Sequence, residues 1–299
     1  MPSFKPLWLL QIAVAKFRCV WPSTPSCRSG PSASFTKLAL VSLSSTPRDQ
    51  DDDAFSREMD MFDIFEKHSP CPDIVQSFLR VPDGDFLAYL SGGTLEQRLQ
   101  RDEVPLTFIE RWAMELSNAG AWLELLGYAH CDIRPPNTLL DGDDHLKLTD
   151  FDSMTKIGER YDGAAPPWAR ILGPESGEEN GTFGYCGAMT EQSAIGSILY
   201  YATRGHEPYE EEDLREDPGP KVVALLRKME FPVLGEGHLD QIIGNCWRGN
   251  SSSLKELARE ASVLPGAFEL PCATSLDKQY CAETRAKCQR LVRDGLLAN

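Results

Sequence analysis

HCDIRPPNTLLDGDDHLKLTDFD, residues 130–152, sets two carboxylates and an amide at fixed intervals: Asp132, Asn137 five positions on, and Asp150 thirteen further. Between them stand the apolar run Thr138-Leu139-Leu140, a turn rich in Asp and Gly at residues 141–144, and the run His145-Leu146-Lys147-Leu148-Thr149. Leu146 and Leu148 fall on one face of an extended chain, so a strand–turn–strand reading follows. Such a hairpin would bring Asn137 and Asp150 to neighbouring strand ends, with Asp132 on the loop leading in. Two carboxylates and an amide oxygen converging there suit a hard, oxygen-seeking cation such as Mg2+.

HCDIRPPN resembles the protein-kinase catalytic loop H-R-D-x-K-x-x-N, and TDFD resembles the D-F-G that follows it. The resemblance implies ATP and Mg2+ as cofactors. It makes Asp132 the base for the substrate hydroxyl, and Asn137 and Asp150 the metal ligands. Arg134, in the place of the family's Lys, would keep a positive charge beside the transferring phosphate, though the two groups differ in geometry. A basic residue there resembles Ser/Thr kinases more than Tyr kinases. Cys131 replaces the Arg that in the family binds an activation-loop phosphate, so switching by loop phosphorylation is not expected. Asp152 stands where the family has glycine, adding a carboxylate near the metal ligands and removing backbone freedom.

Working back from the loop, residues 106–127 carry one apolar stripe, Ile109, Trp112, Ala113, Leu116, Ala119, Leu123 and Leu126, which predicts a core-facing helix ended by Gly127. Phe55, Met59, Phe62 and Phe65 predict a second amphipathic helix over residues 54–67, with Asp51 to Asp53 as its cap. It resembles the kinase helix whose Glu pairs with a strand lysine, and Glu58 matches by position. Residues 74–79 and 85–90 read as strands joined around Pro82-Asp83-Gly84. They resemble the fourth and fifth strands of a kinase small lobe. That likeness places Leu87 at the back of the nucleotide pocket and Ala88 to Leu90 at the hinge that meets adenine. Thr94 is positioned to cap a short helix. Gly30 is the only glycine before Gly84, so a G-x-G-x-x-G loop is absent. Lys16 and Lys37 are the candidates for the strand lysine, with plain surface lysines as the alternative.

Downstream, the apolar stretch Glu191 to Tyr201 resembles the buried central helix of the kinase large lobe, with Glu191 in the place of the Asp that braces the catalytic loop. Gly173-Pro174-Glu175 echoes A-P-E, and Cys246-Trp247 resembles a pair common near the end of a kinase domain. Residues 222–229, 239–247 and 254–261 read as further helices, and the tail as helical after Asp277.

The 299 residues carry a net charge of −15 with 41% hydrophobic content, which describes a globular protein without the clustered basic residues that nucleic acid requires. No apolar run reaches the length of a membrane span. Nine cysteines, none in a C-x-x-C pair, point to reduced thiols and a cytoplasmic or nuclear setting. Residues 1–48 hold six basic and no acidic side chains and are dense in Ser and Pro. Three readings stand for them: a disordered start, a mitochondrial-type presequence, or a signal-like segment around residues 7–15.

The expected fold is α+β and protein-kinase-like. It has two lobes: a truncated β-containing small lobe over residues 49–90 lacking its first three strands, and a mainly helical large lobe over residues 91–263, followed by a tail over 264–299. The resemblance is greatest to small, divergent kinase-like proteins of fungi. It implies transfer of the ATP γ-phosphate to a Ser or Thr hydroxyl of a protein substrate. The alternative is a pseudokinase that binds partners without catalysis, since the glycine loop is missing and the lysine unidentified.

Overall fold

The structure, a computed structural model, describes residues 18–19, 38–42, 49–82, 84–101, 103–161, 165–212 and 218–296. In chain order the elements are β1 (Arg18–Cys19), β2 (Leu38–Ser42), α1 (Asp49–Phe65), β3 (Ser77–Val81), β4 (Gly84–Ala88), β5 (Gly93–Thr94), α2 (Leu95–Arg101) and α3 (Leu106–Leu125). There follow β6 (Tyr128–Ala129), β7 (Thr138–Leu140), β8 (Leu146–Leu148), β9 (Thr155–Lys156), α4 (Ala188–Arg204), α5 (Pro218–Arg227), α6 (His238–Arg248), α7 (Leu254–Ala261), α8 (Pro265–Glu269) and α9 (Lys278–Arg293). The chain divides into two compact units, one of residues 1–53, 76–89 and 276–299, the other of residues 54–75 and 90–275. Among the described residues no helix is long and apolar enough to cross a membrane.

The first unit is an antiparallel sheet in the order β1-β2-β4-β3. The expectation of a small lobe without its first strands is corrected here. β2 pairs with β4 along its whole length, Leu38 opposite Ala88 through Ser42 opposite Gly84, and β1 pairs with β2. Leu38-Ala39-Leu40-Val41 is an unbroken apolar run of four with one β-branched residue, too short and too uniform for periodicity to identify it as a strand. Lys16 and Lys37 lie outside the described residues.

On this sheet Phe78 and Phe86 are 2% and 1% exposed and pack with Cys288, Leu291 and Val292 of α9. The helix starts at Asp277, whose carboxylate accepts from the N–H groups of Gln279 and Tyr280 at 2.9 and 3.1 Å. Arg285 Nε donates to the Phe78 carbonyl at 2.8 Å, tying helix to strand. Burying two phenylalanines is worth about 1.5–3 kcal/mol each. Asp85, also buried on β4, accepts from Ser77 Oγ at 2.7 Å, and burial pushes its carboxyl up to about 7.

The second unit is built on α3 and α4. Ile109, Trp112, Ala113, Leu116, Ala119 and Leu123 are buried on α3 as their spacing requires, with Leu126 half-buried at its C-cap, and the helix packs against α7, α8 and α4. α4 is buried from Thr190 to Ala202, a core helix, and Gly205 closes it with φ +78°. Gly196 lets α6 approach: a Cβ there would lie 2.8 Å from Cys246 Cβ. Trp247 stacks on Phe231 with ring centroids 5.0 Å apart and donates from Nε1 to Ser197 Oγ at 3.0 Å. Thr94 and Gln97 cap α2 reciprocally at 3.1 and 3.2 Å. α1 begins at Asp49, so Asp51 to Asp53 sit inside its first turns rather than before it. Acidic side chains near a helix N-terminus are stabilised by the helix dipole, which favours continuing the helix through them.

Candidate functional site

β7 and β8 pair in register, Thr138 opposite Leu148 and Leu140 opposite Leu146. The pairing carries on past the strands, because Thr149 donates to the Asn137 carbonyl from its N–H at 3.0 Å and its Oγ1 at 3.1 Å. Asn137 and Asp150 therefore stand at adjoining ends of one hairpin. The turn of that hairpin is held by α3. Glu115, fully buried, accepts from the Leu146 N–H at 2.8 Å and from His145 Nδ1 at 2.6 Å. Trp112 Nε1 donates to the Asp144 carbonyl at 2.8 Å, and the Arg111 guanidinium donates to the carbonyls of Asp143 and Asp144 at 3.0 and 2.7 Å. Buried charges persist only when paired in this way.

The loop from His130 to Asn137 is fixed from α4. Glu191, 2% exposed, accepts the N–H of His130 at 2.7 Å and of Cys131 at 3.2 Å. This is the bracing role that the resemblance assigned to it. Burial raises its carboxyl to about 7, against the pull of those two bonds. The His130 ring is fully buried. The Asp132 N–H donates to its Nδ1 at 3.2 Å, so Nε2 carries the hydrogen and donates to the Thr149 carbonyl at 2.9 Å. Burial lowers its pKa to about 4, which keeps the imidazole neutral.

Asp132 Oδ2 takes the Asn137 amide at 2.7 Å and pairs with Arg134 Nε at 3.0 Å, while the same amide also donates to the Asp132 carbonyl at 2.9 Å. Among the described residues no hydrogen bond reaches Oδ1. Burial pushes the carboxyl up to about 6, opposed by Arg134 and Asn137. Asp150 is pushed up to about 7 by burial, then by the nearby charges of Asp152 and Asp132. Cys131 and Asp150 hold φ of +65° and +67°, left-handed backbone that costs an L-residue about 1–2 kcal/mol. Strain of this kind persists where surrounding bonds over-determine the conformation.

α1 meets the Asp150-Phe151-Asp152 turn directly. Glu58 Oε1 accepts the Phe151 N–H at 3.2 Å, and Arg57 Nε donates to the Asp152 carbonyl at 2.9 Å. The Phe151 ring packs edge-on against Phe62, Phe65 and His130, with centroids 5.4, 5.0 and 5.4 Å away. The second unit thus gathers Asp132, Arg134, Asn137 and Asp150 with Glu58 close by. Leu87 and Ala88 lie on β4 in the first unit, where the Ala88 N–H donates to the Gln76 carbonyl at 2.8 Å. Leu90 opens the second unit's next segment.

Sequence reasoning did not single out Arg111, Glu115 or Tyr161. The first two were masked by the apolar stripe of the helix that carries them. Tyr161, which donates from its hydroxyl to the Cys131 carbonyl at 2.9 Å, carried no signal.

The sequence has relatives. The family model of protein tyrosine and serine/threonine kinases matches residues 17–259. The chain belongs to that family. It is 29% identical over 151 residues to Rho-associated protein kinase 1 of Homo sapiens, a match covering 48% of this chain and 11% of that protein. It is 30% identical over 162 residues to myotonin-protein kinase of Homo sapiens, covering 50% and 25%. Identity to CBL-interacting protein kinase 4 of Oryza sativa subsp. japonica is 29% over 135 residues, covering 42% and 29%. The chain spans less than a third of the length of each of these relatives.

Proposed function

We propose that this chain transfers the γ-phosphoryl group of Mg·ATP to a Ser or Thr hydroxyl of a protein substrate. The observation that carries the reading is the Asp132 carboxylate, braced on Oδ2 by Asn137 at 2.7 Å and Arg134 at 3.0 Å, with Oδ1 left for a hydroxyl. Raised to about 6, the carboxyl is mostly ionised at neutral pH and still basic enough to take a proton. Arg134 holds positive charge beside it, where negative charge on a transferring phosphate would develop.

The donor set fits a divalent cation. Asn137 spends its amide nitrogen on Asp132, so its oxygen is the atom left for a metal. Asp150 is a buried carboxylate whose charge is disfavoured by Asp152 and Asp132, a situation that a bound cation would relieve. Among the described residues no cluster of three or more His, Cys, Asp or Glu is placed to hold a metal. Mg2+ bound through one carboxylate and one amide, with phosphate and water oxygens completing its shell, needs no such cluster. When bound, Mg2+ would neutralise phosphate charge; holding the loop and receiving the proton fall to Glu191 and Asp132.

A second reading, partner binding without catalysis, is favoured by one fact: Gly30 is the sole glycine before Gly84, so residues 1–83 contain no G-x-G-x-x-G motif. Thermal unfolding with ATP, with and without Mg2+, followed by a phosphate-incorporation assay, separates the two. Ligand at a hundred times its Kd adds about 2.7 kcal/mol, a shift of several degrees. A Mg2+-dependent rise with phosphate on Ser or Thr supports transfer. A rise without transfer supports the second reading, and the absence of any rise removes the first.

A further inference from the structure

Two thiols that take no part in phosphoryl transfer face one another beside the catalytic loop. Cys131 Sγ lies 3.2 Å from Cys186 Sγ, and the residues are 2% and 3% exposed. Both cysteines are free. Their backbones are pinned on either side of the contact. The Cys131 N–H goes to Glu191 and its carbonyl accepts from Tyr161, while the Cys186 N–H donates to the Glu159 carbonyl at 2.8 Å and its carbonyl accepts from Gly158 at 2.9 Å. Ala129, Tyr161, Ala169 and Phe183 wall the sulfurs with apolar surface. A disulfide needs the sulfurs about 2.0 Å apart, so closure asks for little more than an ångström of movement.

We propose that Cys131 and Cys186 are an oxidation site, converted to a disulfide by an oxidant of the hydroperoxide class, and that this bond ties the catalytic loop to the segment around residues 158–187. The Cys186 sulfur attacks a peroxide oxygen, the O–O bond breaks, and a sulfenic acid forms with release of water or an alcohol. The Cys131 sulfur then attacks the sulfenic sulfur. The S–S bond forms, the S–O bond breaks, and the oxygen leaves as water with the Cys131 proton. Two thiols and one hydroperoxide give a disulfide, one water and one alcohol (a second water where the oxidant is hydrogen peroxide). The sulfurs lose two electrons, and the peroxide oxygens gain them. A thiol reductant reverses it.

Cys131 Sγ lies within weak hydrogen-bond reach of Cys186 Sγ at 3.2 Å and of the Ala129 carbonyl at 3.6 Å. Burial raises the Cys186 thiol, but the bonds from Cys131 and Thr155 oppose it. Burial and the Glu191 carboxyl raise both thiols and Thr155 opposes both, while the contact between the two sulfurs raises Cys131 and lowers Cys186. Cys186 is therefore the sulfur better able to attack first.

Cys131 stands in the position from which an arginine would hold the activation loop by a phosphate. A covalent link from the same backbone position would hold that segment by a different chemistry. The inference goes beyond phosphoryl transfer and does not depend on it.

The test uses the full chain, treated with hydrogen peroxide, denatured in an alkylating agent and mapped by mass spectrometry without reduction. The expected product is a linked pair of peptides carrying Cys131 and Cys186, two hydrogens lighter than their sum and separated by a thiol reductant. Exposed Cys272 reports that oxidant was delivered. Oxidised Cys272 alongside alkylated Cys131 and Cys186, or links from either to other cysteines, overturns the proposal. Cys186→Ser should abolish the link; its persistence in any form at Cys131 would overturn the pairing. Trypsin cleavage after Arg160 and Arg170 should be several-fold slower in the oxidised chain, and equal rates would refute the tie. None of these readouts involves ATP, so failure here and failure of phosphoryl transfer are told apart.

Discussion

Glu191→Gln is expected to destabilise the protein at pH 5, because its single amide oxygen can keep only one of the two loop N–H bonds, and to recover that loss as pH rises to 8. The carboxyl of Glu191 is 2% exposed, and burial raises it from 4.5 to about 7 although two backbone N–H groups bond to it. A folded-state pKa above the unfolded one means the folded chain keeps a proton that the unfolded chain has lost. The contribution of this group to stability is complete below about 4.5, declines as pH rises, and is gone above about 7. At about 1.4 kcal/mol per pH unit, the full decline is roughly 3 kcal/mol. Glutamine is a neutral isostere that cannot titrate. The stability of the variant relative to wild type should therefore rise between pH 5 and pH 8 by up to this amount, from a starting deficit set by the one N–H group left without an acceptor. Denaturant unfolding at several pH values, read as a shift in midpoint at constant m, measures it. Glu191→Ala at pH 5 is the companion. It strips the acceptor from the N–H groups of His130 and Cys131, each costing about 1–3 kcal/mol when orphaned. A Glu191→Gln difference that is flat between pH 5 and 8 would refute the burial argument. An Ala variant within about 0.5 kcal/mol of wild type, inside the range of ordinary surface substitutions, would refute the bracing role.

Asp132→Asn should lower phosphate transfer by about 10²–10⁴ while leaving the nucleotide-dependent melting shift in place, and comparable turnover would remove Asp132 as the base. In the wild type, kcat should fall about tenfold per pH unit below a pKa near 6, because the base must be ionised to accept a proton; a flat profile to pH 5 contradicts the assignment. Asp152→Asn keeps the backbone and an acceptor for Ser153 Oγ but removes one of the two charges that, after burial, raise Asp150. The pH midpoint of Mg2+-dependent ATP stabilisation should move down, and an unmoved midpoint would show that Asp152 does not control the ligand. Gly196→Ala should cost about 1–3 kcal/mol, since its Cβ would lie 2.8 Å from Cys246 Cβ and 3.2 Å from the Ile243 carbonyl. Unchanged denaturant stability would mean that α4 and α6 can part freely.

What could be read from the chain was whatever repeats at a structural period or sits at a fixed spacing. The stripe from Ile109 to Leu123 specified α3, and the alternation of Leu146 and Leu148 specified the hairpin that sets Asn137 beside Asp150. Glu191 was legible through resemblance, and its two bonds to the loop bear that out. The rest depended on contacts between distant residues. Glu115 and Arg111 lie on a helix whose apolar stripe masks them, and only the turn they hold explains their burial. Cys131 and Cys186 are 55 positions apart, and neither has a local feature that names the other. α9 was expected as a helix, but an amphipathic face does not say which sheet it will cover. β2 is too short and too evenly apolar to declare its partner, although that partner, β4, was read as a strand.

The docking of α9 on Phe78 and Phe86 has a consequence for the order in which this chain can be made. The first unit draws on residues near 18 and 40, on 76–89, and on 276–299. During synthesis, its two phenylalanines leave the ribosome some two hundred residues before the helix that buries them. For that interval, at about 5–20 residues per second, the apolar face of the hairpin is bare in the nascent chain. The second unit has nearly all its residues by then and can complete its own core first. The first unit can close only after α9 has been made, across a loop of some two hundred residues.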